Sequence, residues 1–529
     1  MVIALAVAAA TAAAQPAPPP PTYGEALFVV SGRGYGHGVG MSQFGAYGQA
    51  SAGRTYDEIL TYYYTGVELG KAATRQVRVL LAEGRRAVTI GSTAPFTVRD
   101  AAGSVVRLPA GQLVIRPNLE IATADGPVTP VGPVVVRPAR SALLSLDGRL
   151  YRGTLELTAQ ARFLRVVNTV SGESYLRGVV PGEMPQTWPL EALKAQAVAA
   201  RSNALANLLE GKPFDLYADV RSQVYLGADG EKPRTTEAVE ATAGEVVLYG
   251  GRVASTLYHA SSGGRTASAA DVFGVAAPYL VGKPDPWDKA SPYYRWGPLL
   301  FGARTLQSKL AIEERVLDAT GSATPSGRVR TVTVQTAAGT ESVPASLVRS
   351  ALGLRSTWLT IGVLRLDRPS SSTVVFGSSA RLSGVARGLA APELSTSLDG
   401  QAWTRGAPLP VGRAGAVSVD VTPARTTRYR LEVEGAASPA LLVRVAPRLA
   451  LSVPAEPGLL VGTIRPKALG SPVTIERRTS QAWVAVGKAA VKGGAFRAEL
   501  DLVPGAYRAR TAASDGLVAA VSPIVEIAG

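Results

Sequence analysis

A single glutamate lies in a segment that its Gly and Pro residues predict to be a turn, just ahead of a strongly helical run. The segment 179–188 reads VVPGEMPQTW and carries the carboxylate at Glu183. An acid held beside fixed cations and a groove is a candidate for general acid/base chemistry on a polar polymer. Its apolar neighbours Met184 and Trp188 predict a raised pKa for Glu183, which suits a proton donor.

The run after this segment predicts a helix over 189–210. Pro189 suits the first helical position, and apolar residues then recur at helical spacing until Gly211. Lys194 and Arg201 are seven residues apart, so they share one stripe of the helix. The stripe is either a pair of substrate-binding cations or a solvated basic edge.

The chain has two histidines, His37 and His259. His259 follows an apolar run predicted to be a strand over 253–258, and it precedes a Ser-Ser-Gly-Gly turn whose glycines allow the backbone to approach a ligand. It can donate to sugar hydroxyls, tune a carboxylate, or make a structural hydrogen bond. His37 lies among the alternating glycines of 32–40, which predict either a backbone-rich binding loop or a tight structural turn.

Five stretches together resemble the SpoIID/LytB family of bacterial cell-wall proteins. The resemblance covers roughly residues 23 to 365. The Gly-His-Gly block opens this domain, whereas it usually closes the domain in the family, so we expect a circular permutation. Such an order requires residues 30–70 to pack beside residues 340–360. The five stretches are VVPGEMPQTWPLEALKAQAVAAR (179–201), VNTVSGESYL (167–176), DVRSQVYLG (219–227), YHASSGGRT (258–266) and GYGHGVGMSQFGA (34–46).

The resemblance implies a peptidoglycan lytic transglycosylase that acts on glycan strands, within the family on strands without stem peptides, with Glu183 as its one catalytic residue. No second carboxylate is then needed; Asp219 and Glu173 are the nearest other acids, and Glu173 is expected in a structural turn. The family also includes amidase enhancers, so the alternative is a non-enzymatic peptidoglycan-binding protein that stimulates a cell-wall amidase. The residues expected to contact substrate are Lys194, Arg201, Gln223, Tyr225, His259, Ser262, Gly263, Gly264, Tyr279, Tyr294 and His37.

Several of these residues have ordinary alternatives. Gln223 and Tyr225 alternate along a short segment in a way that places one of them in the groove. Tyr279 and Tyr294 either stack on sugar rings or simply pack. Some relatives hold zinc near the His-Ser-Gly-Gly region with cysteines, but this chain has no cysteine and one histidine there. We therefore expect no metal and no cofactor.

Composition limits the partners and the compartment. The formal net charge of +15 suits anionic partners such as acidic wall polymers or anionic lipid. Basic runs interleaved with aromatics are missing from the sequence, so nucleic acid is the least expected partner. Residues 1–22 predict a signal peptide and a Pro-rich linker, and no other stretch reads as a transmembrane segment. We expect a secreted, cell-wall or periplasmic protein.

The pattern of elements predicts an α+β, mostly β fold with one long active-site helix in a domain over 23–365. Strands are expected over 76–81, 87–90, 105–108 and 163–167, and further helices near 41–50, after Tyr56, over 304–320 and over 345–352. The last third contains a repeat, because DGQAW (399–403) and TRYR (427–430) recur as TSQAW (479–483) and GAYR (505–508). It predicts two small β-sandwich modules over 366–447 and 448–529.

Overall fold

The computed structural model describes residues 23–73, 75–467 and 471–528. The predicted signal peptide and linker over 1–22 lie outside the described residues. Strands outnumber helices throughout the described ranges, which confirms the α+β, mostly β class. None of the helices in these ranges has the length and apolar character needed to cross a membrane.

Eight α-helices lie in the described ranges, and the longest is the one predicted after Glu183. They are α1 Gln43–Ser51, α2 Tyr56–Tyr63, α3 Gly172–Glu183, α4 Leu190–Ala206, α5 Pro233–Ala241, α6 Ala269–Phe273, α7 Ala303–Leu310 and α8 Ala345–Ala351.

The strands divide at residue 366 into two sets. The first set is β1 Ala26–Gly32, β2 Met41–Ser42, β3 Glu68–Lys71, β4 Gln76–Arg85, β5 Val88–Ser92, β6 Phe96–Arg99, β7 Val105–Leu108, β8 Gly111–Ile115, β9 Ile121–Thr123, β10 Gly126–Val128, β11 Val134–Pro138, β12 Leu144–Leu146, β13 Arg149–Tyr151, β14 Thr154–Gln160, β15 Phe163–Ser171, β16 Leu216–Tyr217, β17 Glu245–Tyr249, β18 Arg252–Val253, β19 Tyr258–His259, β20 Trp296–Gly302, β21 Val316–Ala323, β22 Val329–Thr336, β23 Thr340–Pro344 and β24 Leu359–Leu366. The second set is β25 Thr373–Val375, β26 Ala380–Arg387, β27 Glu393–Ser397, β28 Thr404–Pro408, β29 Ala416–Val421, β30 Thr427–Val433, β31 Ala436–Ala437, β32 Leu441–Ala446, β33 Arg448–Ser452, β34 Leu459–Arg465, β35 Val473–Arg478, β36 Trp483–Ala489, β37 Val491–Lys492, β38 Ala495–Glu499, β39 Gly505–Thr511, β40 Ala520–Val521 and β41 Val525–Ile527.

Helix α4 lies at the centre of the helical layer. Most of its residues are buried, and it contacts α1, α2, α3, α5 and β17. Its many alanines allow these neighbours to approach closely, as expected for a helix that is apolar nearly all round. It ends at Ala206, four residues before the predicted end.

Helix α3 places the glutamate, and here the sequence prediction is wrong. The segment before α4 was expected to be a turn, but Glu183 is the last residue of α3. Strand β15 in the seven-stranded sheet β16-β4-β15-β14-β11-β6-β7 leads directly into this helix. The Ser171 hydroxyl accepts a hydrogen bond from the backbone N–H of Ser174 and caps α3 at its start. Pro181 lies in the last turn of α3.

The N-terminal block packs where the permuted order requires. Strand β1 pairs antiparallel with β24, with Gly32 opposite Leu359. The backbone N–H of Arg33 then donates to the Trp358 carbonyl at 2.9 Å. Residues 30–70 therefore contact the region 340–360 as expected, while the permutation itself stays a prediction.

The predicted domain boundary at 365/366 falls at the end of β24, in a sheet that contains strands of both predicted domains. One sheet has the order β20-β1-β24-β26-β29, so it contains strands from both sides of that boundary. Beyond it, the repeat has a structural counterpart. The Arg430 guanidinium lies 4.0 Å from the Trp403 ring centroid, and Arg508 lies 4.2 Å from that of Trp483.

Two further elements differ from the sequence prediction. The expected strand over 253–258 is interrupted, because only β18 and β19 are extended and paired there. The expected helix over 304–320 is the short α7 followed by strand β21, since Ala311 adopts a left-handed backbone with φ 54° and ends the helix.

Candidate active-site groove

A groove of about 910 Å³ runs past the C-terminal end of α3. It is defined by side chains from the N-terminal block, from α3 and the end of α4, and from the segments around 216–224 and 257–260. Its lining residues are Tyr35, Gly36, His37, Gln43, Gly182, Glu183, Asn203, Asn207, Leu208, Leu209, Leu216, Tyr217, Val220, Arg221, Ser222, Gln223, Val224, Leu257, Tyr258, His259, Ala260 and Phe273.

The Glu183 carboxylate is half-buried in this groove and is held by two donors. Gln43 Nε2 donates to Glu183 Oε2 at 3.0 Å, and the Tyr258 hydroxyl donates to Oε1 at 3.4 Å. Burial raises the pKa of Glu183, and the two hydrogen bonds oppose that rise because they favour the charged form. The raised direction confirms the prediction from its apolar sequence neighbours.

A chain of hydrogen bonds leads from the core to this carboxylate. The Tyr175 hydroxyl donates to Gln223 Oε1 at 3.1 Å, and Gln223 Nε2 donates to the Tyr258 oxygen at 2.9 Å. Burial raises the pKa of Tyr258 far above its ordinary value, so its hydroxyl keeps the proton that it donates to Glu183. Gln223 is 3% exposed and lines the groove, so it acts here mainly by orienting Tyr258.

The two histidines contact the backbone of the same residue, Val39. The Val39 N–H donates to His37 Nδ1 at 3.1 Å, and the Val39 carbonyl lies 3.1 Å from His259 Nδ1, which must therefore carry a proton. His259 Nε2 is then an unprotonated acceptor, and it is buried without a protein partner. Burial, helped by the Arg328 charge, lowers the pKa of His37 to about 4; burial also holds the pKa of His259 well below its usual value.

The glycines around His37 are required by the backbone. Gly34, Gly36, Gly38 and Gly40 all have positive φ, between 73° and 101°. A Cβ at Gly38 would also lie 2.0 Å from the Arg328 guanidinium. The block is thus a tight structural turn, and it contributes Tyr35, Gly36 and His37 to the groove lining.

The Ser-Ser-Gly-Gly turn is built around a buried carboxylate. Asp288 accepts hydrogen bonds from the hydroxyls of Ser42 and Ser261 and from the backbone N–H groups of Ser262 and Gly263. Ser262 and Gly263 were predicted to contact a ligand, but their backbone N–H groups bind Asp288 instead. Gly264 lies against Tyr294, where a Cβ would meet the hydroxyl at 2.9 Å.

The two helix cations lie outside the groove lining. Arg201 is 4% exposed and makes a bidentate pair with Glu173, at 3.0 and 2.7 Å. Lys194 pairs with Glu191 at 2.7 Å on its own helix and lies over the Tyr56 ring. The shared stripe faces protein and not the groove, so the structure gives both cations internal partners.

Three predicted aromatic residues also pack internally. The Tyr225 hydroxyl donates to Asn168 Oδ1 at 3.0 Å, and its ring packs on Tyr175. The Tyr279 hydroxyl accepts from the Ser255 N–H at 3.1 Å. Tyr225, Tyr279 and Tyr294 all lie outside the groove lining.

The comparisons with known proteins agree on one family. A sequence model described as Stage II sporulation protein (SpoIID) matches residues 160–249, which include Glu183, α4 and Gln223. The chain is 37% identical over 179 residues to the amidase enhancer of Bacillus subtilis (strain 168), covering 34% of the chain and 23% of that relative. It is 30% identical over 210 residues to stage II sporulation protein D of the same organism, covering 36% and 60%. These matches support the resemblance to the SpoIID/LytB family over part of the chain, with the model match at residues 160–249.

One further relative and the solved structures also match parts of the chain. An uncharacterized protein of Brachyspira hyodysenteriae is 42% identical over 160 residues, covering 28% of the chain and 44% of that relative. The chain thus spans less than two thirds of the length of each of these relatives. Among solved structures, the human OSCAR ligand-binding domain aligns over 31% of the chain at 16% identity with a TM-score of 0.14.

The zinc held by some SpoIID/LytB relatives does not fit the residues present here. His37 and His259 have ring centroids 5.6 Å apart, but both Nδ1 atoms are committed to Val39. The described part of the chain contains no cluster of three or more histidine, cysteine or acidic residues suited to a metal. With two imidazoles as its only donors, this site lacks a zinc ligand set.

Sequence reasoning missed the two residues that hold Glu183. Gln43 stands in the GMSQFGA stretch and Tyr258 begins YHASSGGRT, so both lay inside stretches used for the family resemblance. Nothing in the spacing indicated that these stretches meet at one carboxylate. Asn203 and Asn207 at the end of α4 are further groove residues that went unnoticed, and their i, i+4 spacing on one helix face was the available signal.

Proposed function

We propose that this protein is a peptidoglycan lytic transglycosylase that cleaves MurNAc–GlcNAc strands stripped of stem peptides. The observation that supports it is that Glu183 is the only carboxylate among the described residues lining the groove. Most glycosidases need two carboxyl groups, one as acid and one as base or nucleophile. A single acid with a raised pKa suits a reaction whose nucleophile belongs to the substrate.

The chemistry needs one proton to leave Glu183 and another to return. Protonated Glu183 donates to the glycosidic oxygen as the bond from that oxygen to C1 of the muramic acid breaks. The ionised carboxylate then takes the proton of the C6 hydroxyl, whose oxygen bonds to C1. The products are a new sugar hydroxyl and a 1,6-anhydro end; no water is consumed, and Glu183 ends protonated as it began.

The surroundings of Glu183 suit both of its protonation states in this cycle. Gln43 and Tyr258 donate to the ionised form and so stabilise it while the glycan is bound. Burial favours the protonated form that begins the reaction. His259 lines the groove wall, and because its Nε2 atom is buried, its task is to hold that wall through the Nδ1–H bond to the Val39 carbonyl.

The similarity to known proteins and the net charge both fit a cell-wall polymer. Similarity to SpoIID proteins supports a role in the wall, and the formal net charge of +15 suits acidic wall polymers. Residues 1–22, which are predicted to direct export, would deliver the chain to that compartment. The surrounding modules over 366–528 then serve as spacers or wall-attachment units.

A second candidate is a non-enzymatic binding protein that stimulates a wall amidase. It is favoured by the relative named amidase enhancer, which shares 37% identity with this chain. The same groove and charge serve binding equally well, and a structural Glu183 would then only order the groove.

The test is digestion of glycan strands by the full chain. Purified protein is incubated with strands that lack stem peptides and with intact strands, and the new ends are identified by mass spectrometry. We expect 1,6-anhydromuramic ends from the stripped strands. Glu183→Gln should lower the rate roughly 100-fold or more, the range of general acid/base catalysis.

The matched control is Glu191→Gln. Glu191 pairs with Lys194 outside the groove, so this variant should cleave normally. If wild type and Glu183→Gln release no anhydro ends but both bind strands and both stimulate an added amidase, the enhancer function replaces the enzyme.

A further inference from the structure

One arginine beside the groove has no carboxylate partner. Arg355 is exposed, and it has no ion pair or side-chain hydrogen bond with any described residue. By contrast, Arg221 in the groove lining is paired with Asp219 at 2.7 Å. The Arg355 guanidinium is therefore available to a ligand.

Arg355 is fixed by two aromatic rings. Its guanidinium carbon lies 4.6 Å from the Tyr293 centroid and 5.7 Å from the Tyr35 centroid. The two tyrosine rings meet edge to face at 5.0 Å and 78°. Tyr35 is 39% exposed, which is high for an aromatic ring in such a cluster. Stacking restricts the guanidinium plane but leaves the N–H groups at its edge free to donate.

The cluster is continuous with the catalytic groove. Tyr35 and Gly36 are both in the lining, and the Gly36 N–H donates to the Arg355 carbonyl at 3.0 Å. A ligand that passes Glu183 and continues past His37 reaches Tyr35 with Arg355 behind it.

This combination has a defined chemical preference. An aromatic face stacks on the apolar side of a sugar ring, and an arginine edge binds a carboxylate through two parallel hydrogen bonds. Neutral sugars use only the first contact. A sugar that bears a carboxylate uses both.

We propose that Tyr35, Tyr293 and Arg355 form a subsite for a sugar with a free carboxylate. In the glycan of the proposed function, on which this inference rests, that group is the lactyl carboxylate of a muramic acid without a stem peptide. An attached peptide converts this carboxylate to an amide and removes its charge. The subsite therefore selects stripped strands over intact ones at this position.

The experiment measures binding by the full chain carrying Glu183→Gln, so that no ligand is consumed. Dissociation constants are determined by calorimetry for two ligands of equal length, a stripped MurNAc–GlcNAc oligosaccharide and a chito-oligosaccharide, which has no lactyl group. Adding Arg355→Met should weaken the first ligand about tenfold and leave the second nearly unchanged, as expected when a charge-assisted hydrogen bond is lost.

Two comparisons complete the design. Arg304→Met removes an exposed arginine that pairs with Glu25 and lies outside the groove lining, and it should affect neither ligand. Arg355→Lys keeps the charge but loses the planar stack, so it should restore only part of the affinity.

The outcomes separate the two proposals. Tight binding of both oligosaccharides with no effect of Arg355→Met overturns the subsite and leaves the proposed function standing. Equal weakening of both ligands also overturns it, because Arg355 would then only shape the groove. Failure to bind either oligosaccharide overturns the subsite and the proposed function together.

Discussion

Gln43 Nε2 donates to Glu183 Oε2 at 3.0 Å, across 140 residues of sequence. The donor is the first residue of α1 and the acceptor is the last residue of α3. The N-terminal block thus completes the environment of the one groove carboxylate. Any account of that carboxylate has to include the packing of this block on the rest of the domain.

The first prediction concerns the pKa of Glu183. Gln43→Met and Tyr258→Phe each remove a donor to the ionised carboxylate, so each should raise this pKa above its wild-type value. The titration is followed by carbon-detected NMR of the Glu183 side chain. Tyr279→Phe is the matched control, because its hydroxyl contacts Ser255 and not the groove. A pKa that is unchanged in both groove variants would show that the hydrogen bonds are not formed in solution.

The second prediction separates the two helix cations. Arg201→Met leaves Glu173 in a largely buried site without its partner, which should cost about 3–5 kcal/mol in the free energy of unfolding. Lys194→Met breaks a more exposed pair and should cost under about 1 kcal/mol. Both are measured by urea denaturation. If Arg201→Met keeps its stability and instead loses glycan affinity, the substrate role suggested by the sequence would be the right one.

Lys194 and Arg201 illustrate which structural features could be predicted from the sequence. Spacing correctly placed Lys194 and Arg201 on one stripe of one helix, because helical periodicity is local information. It could not say what that stripe faces, since Glu173 reaches Arg201 from another helix. The mostly β class and the long helix were predictable for the same local reason.

The groove itself depends on contacts that the sequence does not encode locally. Tyr258 was read as the end of a strand, yet its hydroxyl reaches Glu183 from 75 residues away. Ser262 and Gly263 were expected to face a ligand, but Asp288 from a separate turn occupies their N–H groups. A buried acid that organises a turn leaves no periodic signal.

The third prediction concerns the two histidines. Their contacts with Val39 require opposite neutral tautomers, with the proton on Nδ1 in His259 and on Nε2 in His37. Long-range nitrogen–proton NMR resolves them easily, because the chain has only two imidazoles. His37 should not titrate between pH 5.5 and 8, since burial and the Arg328 charge lower its pKa to about 4; burial also lowers the pKa of His259 well below its usual value. Identical tautomers, or a midpoint near pH 6.5 for either ring, would contradict the arrangement.

The fourth prediction concerns stability against pH. Burial, together with the charge of Asp288, raises the pKa of Asp285 to about 7. The folded state therefore holds a proton that the unfolded chain has lost, and stability falls as the pH rises from about 4 to about 7. Asp285→Asn should remove that part of the slope and raise the free energy of unfolding at pH 8 by roughly 2–4 kcal/mol.

The control for this prediction is Asp219→Asn. Asp219 is exposed and bound to Arg221, which lowers its pKa to about 2, so the variant should not change the slope between pH 5 and 8. Equal slopes in wild type and Asp285→Asn would mean that Asp285 is not the group that titrates.

The most direct test of the central claim is the origin of the oxygen in the new glycan ends. Stripped strands are digested in water enriched in the heavy oxygen isotope, and the masses of the products are measured by mass spectrometry. Our account predicts ends one water lighter than reducing ends, without heavy oxygen, and their loss in Glu183→Gln. Reducing ends that carry heavy oxygen, or anhydro ends that persist in Glu183→Gln, would contradict it.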